Sequence, residues 1–197
     1  MRRGKAFIIT GPSGVGKSTV LHALMKKREN LYFSVSATTR DPRPGEENGV
    51  HYHFLDKAIF ETWITQDEFL EHAEFVGNFY GTPKKYVYAA MEEGKDVILD
   101  IEVQGAEQVA QKMPEVVRIF IAPPSWEELE RRLRDRKTDS DDKIQKRLQR
   151  ARTDAEAAAS YDYFVINDTV ENAVTELDAI MTAEHCRTEE QMEIING

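Results

Sequence analysis

Residues Gly11-Pro12-Ser13-Gly14-Val15-Gly16-Lys17-Ser18 match the pattern G-x-x-x-x-G-K-[ST], a loop built to hold a chain of phosphates. Glycines let the backbone curl until several N–H groups converge on one anion, an approach that a Cβ would obstruct. A helix starting near Lys17 adds the positive end of its dipole. The Lys17 ammonium suits the β- and γ-phosphates of a nucleoside triphosphate, and the Ser18 hydroxyl suits Mg²⁺. With Thr19 following, residues 11–19 form the candidate triphosphate site. An apolar run precedes the loop, and Val20, Leu21, Leu24 and Met25 follow at helical spacing, so it lies between a strand and a helix.

Val97-Ile98-Leu99-Asp100 reads as an apolar strand ending in a carboxylate, a second oxygen near the metal that Ser18 would ligate. This much predicts a phosphoryl-transfer enzyme and leaves the acceptor open. The acceptor has to be read from residues 33–92. Arg40 and Arg43 lie in Thr39-Arg40-Asp41-Pro42-Arg43-Pro44-Gly45-Glu46, Tyr52 follows, and Tyr80 lies in Gly77-Asn78-Phe79-Tyr80-Gly81-Thr82. Two arginines and two tyrosine hydroxyls suit a second phosphate, because Arg offers paired charged donors and Tyr short neutral ones. A carboxylate beside small hydroxyls, as this region offers, suits a base edge. Guanine presents N1–H and N2–H₂ donors to a carboxylate and an O6 acceptor to a hydroxyl. Adenine lacks the N1 proton and would leave the carboxylate unpaired.

The elements that carry these residues alternate as in a parallel sheet wrapped by helices. Buried strands are expected at 6–10, 97–100, 116–121 and 163–166, and helices at 17–27, 103–112 and 170–185. Two regions break the pattern. Residues 33–92 hold strand-like pieces at 33–38 and 50–55 around a proline- and glycine-rich turn, and read as a small mixed-sheet lobe. Residues 125–160 read as a helical pair. Ser125-Trp126-Glu127-Glu128 fits a capping box at its start, with Glu128 reaching back to the serine. Ten Lys or Arg lie between Arg131 and Arg152, a segment that composition alone would equally make a solvated hairpin.

Composition bounds the rest. The 197 residues suit one α/β domain with inserted lobes, and 41% apolar with 31% charged residues supports a real core. A net charge of −9 argues against a general nucleic-acid binder but not against a local basic site. Cys186 is the single cysteine, so it forms no internal disulfide and is expected to behave as a small apolar residue. The apolar run at the N-terminus is too short for a signal sequence, and no stretch approaches a membrane span, which makes the cytoplasm the expected compartment. The histidines lack metal-ligand spacing; His51 and His53 alternate as on a strand, facing one side together.

From the phosphate loop through 36–43 to Asp100 and the basic helices, the sequence resembles the guanylate kinase family. The resemblance implies a parallel-sheet P-loop core (1–32, 93–124 and 161–197), a GMP-binding lobe (33–92) and a helical lid (125–160). It implies ATP as phosphoryl donor, Mg²⁺ as cofactor and GMP as acceptor, with no nucleic-acid or membrane partner. Arg40, Arg43, Tyr52 and Tyr80 would hold the GMP phosphate; Ser36, Glu71 and Thr82 would read the guanine; Asp100 would serve both the acceptor and the metal. Lid residues Arg132, Arg136 and Arg147 would close over the triphosphate and, with Lys17 and Arg40, form the catalytic set. Asn167 matches a position near the adenine end of ATP. Three positions depart from the usual pattern: Glu102 where aspartate is common, Lys137 where glycine is common, and Phe79 where tyrosine is frequent. Guanylate-kinase-like binding modules of scaffold proteins and P-loop kinases acting on other acceptors are the rival readings. The intact loop and the Ser36, Glu71 and Thr82 set argue against them.

Overall fold

Five buried residues, Ala6–Thr10, form the first strand, β1, and Gly16 caps the helix α1 (Lys17–Lys27) that follows the phosphate loop. The structure, a computed structural model, describes residues 2–135, 139–188, 191, 192 and 195. The remaining elements are β2 (Leu31–Phe33), β3 (Ala37–Thr38), β4 (His53–Phe54), α2 (Lys57–Thr65), β5 (Phe69–Phe75), β6 (Asn78–Pro83) and α3 (Lys84–Glu92). After these come β7 (Asp96–Asp100), α4 (Val103–Lys112), β8 (Val117–Ala122), α5 (Trp126–Asp135), α6 (Asp141–Ala157), β9 (Tyr163–Ile166) and α7 (Val170–Glu184). Two compact units share β1: residues 3–8 with 30–117, and residues 9–29 with 118 onward.

The larger sheet has the order β2-β7-β1-β8-β9, with β2 parallel to β7 and β8 parallel to β9. Its strands are the short apolar runs of the sequence: Val97, Ile98 and Leu99 in β7, and Ile119, Phe120 and Ile121 in β8, are fully buried. Strands buried on both faces read as continuous apolar runs, which is why these were recognisable. Helix α7 starts at Thr169, whose hydroxyl accepts the Asn172 N–H at 3.2 Å. It packs on α1 through Asp178, which meets Arg28 at 2.6 Å and Lys27 at 2.9 Å.

The second sheet is mixed, with the order β4-β3-β6-β5. Hairpin β5–β6 sets Glu71 opposite Thr82 and Ala73 opposite Tyr80, while β3 sets Thr38 against Tyr80. Phe60 of α2 stacks on Phe69 at 4.4 Å and on Phe79 at 5.5 Å. Phe79 is therefore part of this lobe's packing, which explains why a ring without a hydroxyl serves there.

Several expectations need correction. The piece at 33–38 is not one strand: Leu31–Phe33 joins β7 in the larger sheet, and Ala37–Thr38 belongs to the second. The piece at 50–55 is a strand only at His53–Phe54, because the chain turns before it, with Gly49 at φ 79°. His51 is thus in a turn, accepting the Glu47 N–H at 3.0 Å, whereas the His53 ring stacks on Tyr86 at 4.2 Å. The two do not face one side. The capping box is only half formed. Ser125 Oγ accepts the Glu128 N–H at 3.1 Å, but the Glu128 carboxylate is drawn away by Arg131 and Arg132. Cys186 is exposed rather than packed. Lys137 lies outside the described residues.

Candidate active site

The phosphate loop turns sharply at Val15, whose N–H donates to the Pro12 carbonyl at 3.1 Å, and enters α1 through Gly16 at φ 96°. A side chain at Gly16 would be strained by that φ, and its Cβ would lie 2.7 Å from Asn167 Nδ2. The closeness has a purpose. Asn167 is 4% exposed, and its Nδ2 donates to the Val15 carbonyl at 2.7 Å. The Asn167 N–H is anchored on the Ala122 carbonyl at the end of β8. Lys17 opens α1, where the first backbone bonds run from Thr19 and Val20 to the Gly16 carbonyl. N–H groups at a helix start lack intrahelical acceptors and, with the dipole, favour an anion there. Ser18 is exposed on that first turn.

The basic helical segment separates into two classes. Arg131 pairs with Glu128 and Asp135, Arg134 with Glu130 and Asp141, and Arg150 with Asp154, all within the segment itself. Arg132 instead reaches the phosphate loop. Its Nη1 donates to the Val15 carbonyl at 3.1 Å, its Nη2 to the Asn167 carbonyl at 3.1 Å and its Nε to Glu128 at 2.8 Å. The Arg131 and Arg132 guanidiniums hold the Glu128 carboxyl down at about 2. Arg147 Nη1 donates to Ser13 Oγ at 3.0 Å, and its Nη2 lies 3.3 Å from Asp139. Arg136 lies outside the described residues. Loop, Asn167, Arg132 and Arg147 thus form one group, with Asn167 bracing the loop backbone.

The acceptor residues fall in the other unit, as two groups. In the first, Arg40 makes a two-pronged pair with Glu46, both bonds 2.9 Å long, and also donates to the Asp41 carbonyl at 2.7 Å. Its guanidinium lies 5.4 Å from the centre of the Tyr52 ring, and the Tyr52 and Tyr80 rings meet edge-on at 6.1 Å. Arg43 contributes its N–H to Glu46 at 2.8 Å and leaves its side chain exposed. Glu46 is held down to about 2, by the Arg40 bonds first and then by the Arg43 N–H. Sequence reasoning assigned no role to Glu46. Its signal was present in Arg43-Pro44-Gly45-Glu46, a turn closed from the Glu46 N–H to the Arg43 carbonyl at 3.0 Å, which returns the carboxylate to Arg40.

In the second group, Glu71 is 8% exposed and accepts the Thr82 hydroxyl at 2.7 Å. Burial pushes its carboxyl up, against the downward pull of the Thr82 bonds. The one hydroxyl proton of Thr82 is engaged here, so Thr82 orients the carboxylate. Ser36 precedes β3, where its carbonyl accepts the His53 N–H at 2.9 Å. Asp100 ends β7, partly exposed, and Glu102 caps α4 with its carbonyl, which accepts the Ala106 N–H at 3.0 Å.

Among the described residues, no group of three or more His, Cys, Asp or Glu is placed to hold a metal ion, and no helix is long and apolar enough to cross a membrane. One unit thus holds a glycine-rich loop at a helix start, and the other holds an arginine in a two-pronged ion pair and a buried carboxylate.

Residues 3–184 match the family model described as guanylate kinase. A guanylate kinase of Thermus thermophilus is 52% identical over 186 residues, spanning 94% of this chain and 84% of its own. That of Synechococcus sp. (strain JA-3-3Ab) is 50% identical over 179 residues, spanning 91% and 82%. Among solved structures, the guanylate kinase from Anaplasma phagocytophilum superposes with a TM-score of 0.73 at 35% identity. That match covers 95% of this chain and 89% of the other.

Proposed function

The chain belongs to the guanylate kinase family, an enzyme of purine nucleotide metabolism that phosphorylates GMP with ATP as donor, and from that premise we propose how its residues divide the work. Residues 11–19, with Asn167, hold ATP; Lys17 and the arginines Arg132, Arg136 and Arg147 neutralise its β- and γ-phosphates. Arg40, Arg43, Tyr52 and Tyr80 hold the phosphate of GMP. Glu71, set by Thr82 and joined by Ser36, accepts the guanine N1–H and N2–H₂.

The observation that carries this reading is the buried Glu71 carboxylate with Thr82 donating to one of its oxygens at 2.7 Å. An ionised carboxylate only accepts hydrogen bonds, and burying one without donors is costly. Guanine supplies two donors side by side. Adenine would leave the acid facing an acceptor, so the same pocket rejects it.

The attacking oxygen belongs to the GMP phosphate, already ionised near neutral pH, so no general base is needed. The difficulty is repulsion between two polyanions, and catalysis rests on positioning and neutralisation. Ser18 and Asp100 are the residues that would offer hard oxygen donors to Mg²⁺. When bound, the ion supplies charge neutralisation at the β- and γ-phosphates. Exclusion of water from the bound substrates would keep it from competing for the phosphoryl group. Action on dGMP and a cytoplasmic setting belong to the same proposal.

The test is Lys17→Ala. Turnover with ATP and GMP is expected to fall at least about a hundredfold, the scale of losing a charge-stabilising donor. A rate near that of the unaltered protein would remove Lys17 from the mechanism.

A further inference from the structure

Strand β5 is an edge of the second sheet, and an edge strand needs partners for its outward backbone groups. Helix α4 supplies them. Gln108 Oε1 accepts the His72 N–H at 3.2 Å, and its Nε2 donates to the His72 carbonyl at 3.2 Å. Lys112 Nζ donates to the Phe69 carbonyl at 2.7 Å. Gly105, Gln108 and Lys112 stand at helical positions i, i+3 and i+7 and so share one face. The two-way grip of Gln108 on His72 fixes the register of that face, and it brings Gly105 against Glu71.

A glycine inside a helix is a poor choice for helix stability, so another requirement must favour it. Here the requirement is space. A Cβ on Gly105 would lie 3.1 Å from Glu71 Oε2 and 3.4 Å from its Cδ and Cγ. The carboxylate has little room to retreat, being buried and tied through its other oxygen to Thr82.

We propose that Gly105 is a positioning residue for guanine recognition: the absence of a side chain there lets the Glu71 carboxylate present its acceptors to the base. The proposal rests on the reading of Glu71 given above. A methyl group at position 105 tilts the carboxylate or strains the Thr82 bond, and paired hydrogen bonds weaken steeply with misalignment.

The test measures GMP binding by titration, and the KM for ATP, in Gly105→Ala, Glu71→Ala and the double variant. Gly105→Ala is expected to weaken GMP binding about tenfold, the scale of a compromised hydrogen bond to a charged group. Its KM for ATP stays within about twofold, since only acceptor binding is touched. In the Glu71→Ala background the same substitution changes GMP binding no further, because no carboxylate remains to be crowded. Unchanged binding in Gly105→Ala, or an equal loss in both backgrounds, overturns the proposal. Should Gly105→Ala fail to fold, the double variant is expected to fold, and its failure would overturn the proposal too. If Glu71→Ala itself binds GMP normally, the base-reading role fails and this inference with it. If Glu71→Ala is impaired and Gly105→Ala is not, only the present inference falls.

Discussion

The side-chain amide of Asn167 donates to the main-chain carbonyl of Val15 at 2.7 Å, so a residue just beyond β9 holds the middle of the phosphate loop in place. Removing the amide leaves a buried carbonyl with the longer Arg132 bond alone. Asn167→Ala is therefore expected to cost about 1–3 kcal/mol of stability, the range for a partner lost from a buried polar group. The KM for ATP should rise while that for GMP stays nearly constant, as thermal unfolding and initial-rate kinetics would register. An effect on GMP alone would contradict the bracing role.

Arg131 and Arg132 are neighbours with opposite expectations. Arg131 is 63% exposed and pairs with acids of its own helix, an arrangement of little energetic consequence. Arg132 spends its fork on two carbonyls of the phosphate-loop group. Arg131→Ala should leave kcat/KM for ATP within about twofold, whereas Arg132→Lys, which keeps the charge but loses the fork, should lower it about tenfold or more. Equal effects in steady-state assays would show that the Arg132 fork contributes nothing that an exposed arginine of the same helix does not.

The difference between those two arginines was invisible in the sequence, where both belong to one basic run. The phosphate loop was legible because its chemistry is local: glycines, a lysine and a hydroxyl at fixed spacing between an apolar strand and a helix. β1 and β9 have the expected limits, as do α1 and α4, because short apolar runs bounded by turns and regularly spaced helices announce themselves. The second sheet did not. Its strands β3 and β4 are two residues each, too short to show an alternation, and α2, α3 and the β5–β6 hairpin were not anticipated. The positions of Glu71 and Thr82 were readable through family resemblance, but their pairing across β5 and β6 needed the hairpin register. Gly105 lies far from both in sequence, and only the packing of α4 on β5 brings it to them.

Glu46 matters through the arginine it holds. Its folded carboxyl, at about 2, lies below the ordinary value of 4.5, so its contribution is present above the ordinary range and lost as pH falls toward about 2. Across the neutral range Arg40 is thus held by an ionised partner. Glu46→Gln should raise the KM for GMP about tenfold, consistent with loss of a charge-assisted two-pronged pair, and should leave the KM for ATP unchanged. A KM for GMP unaltered in kinetic assays would show that Arg40 needs no such support.

Glu71 gives a pH dependence of opposite sign. Its folded carboxyl is raised by burial, so as pH rises the unfolded chain loses its proton first. Stability from this group therefore falls between the ordinary value of 4.5 and the raised folded value, then levels off. Guanine binding moves the other way, since only the ionised acid accepts both donors. Guanosine carries no phosphate to titrate, so its affinity should increase with pH through that window, and Glu71→Gln should abolish the increase. Calorimetric titrations at several pH values would show it. A pH-independent affinity in the unaltered protein would mean that Glu71 does not meet the base.

The claim beneath all of these is that Glu71 selects guanine while a separate loop holds the ATP that donates the phosphoryl group. The most direct measurement offers ATP and magnesium together with GMP, AMP, UMP or ribose 5-phosphate in turn, and follows ADP release by the unaltered protein and by Glu71→Ala. Rapid turnover confined to GMP (and dGMP), with the preference for GMP over AMP collapsing in Glu71→Ala, is the predicted result. No GDP from GMP, or a guanine preference that survives intact without the Glu71 carboxylate, would contradict it.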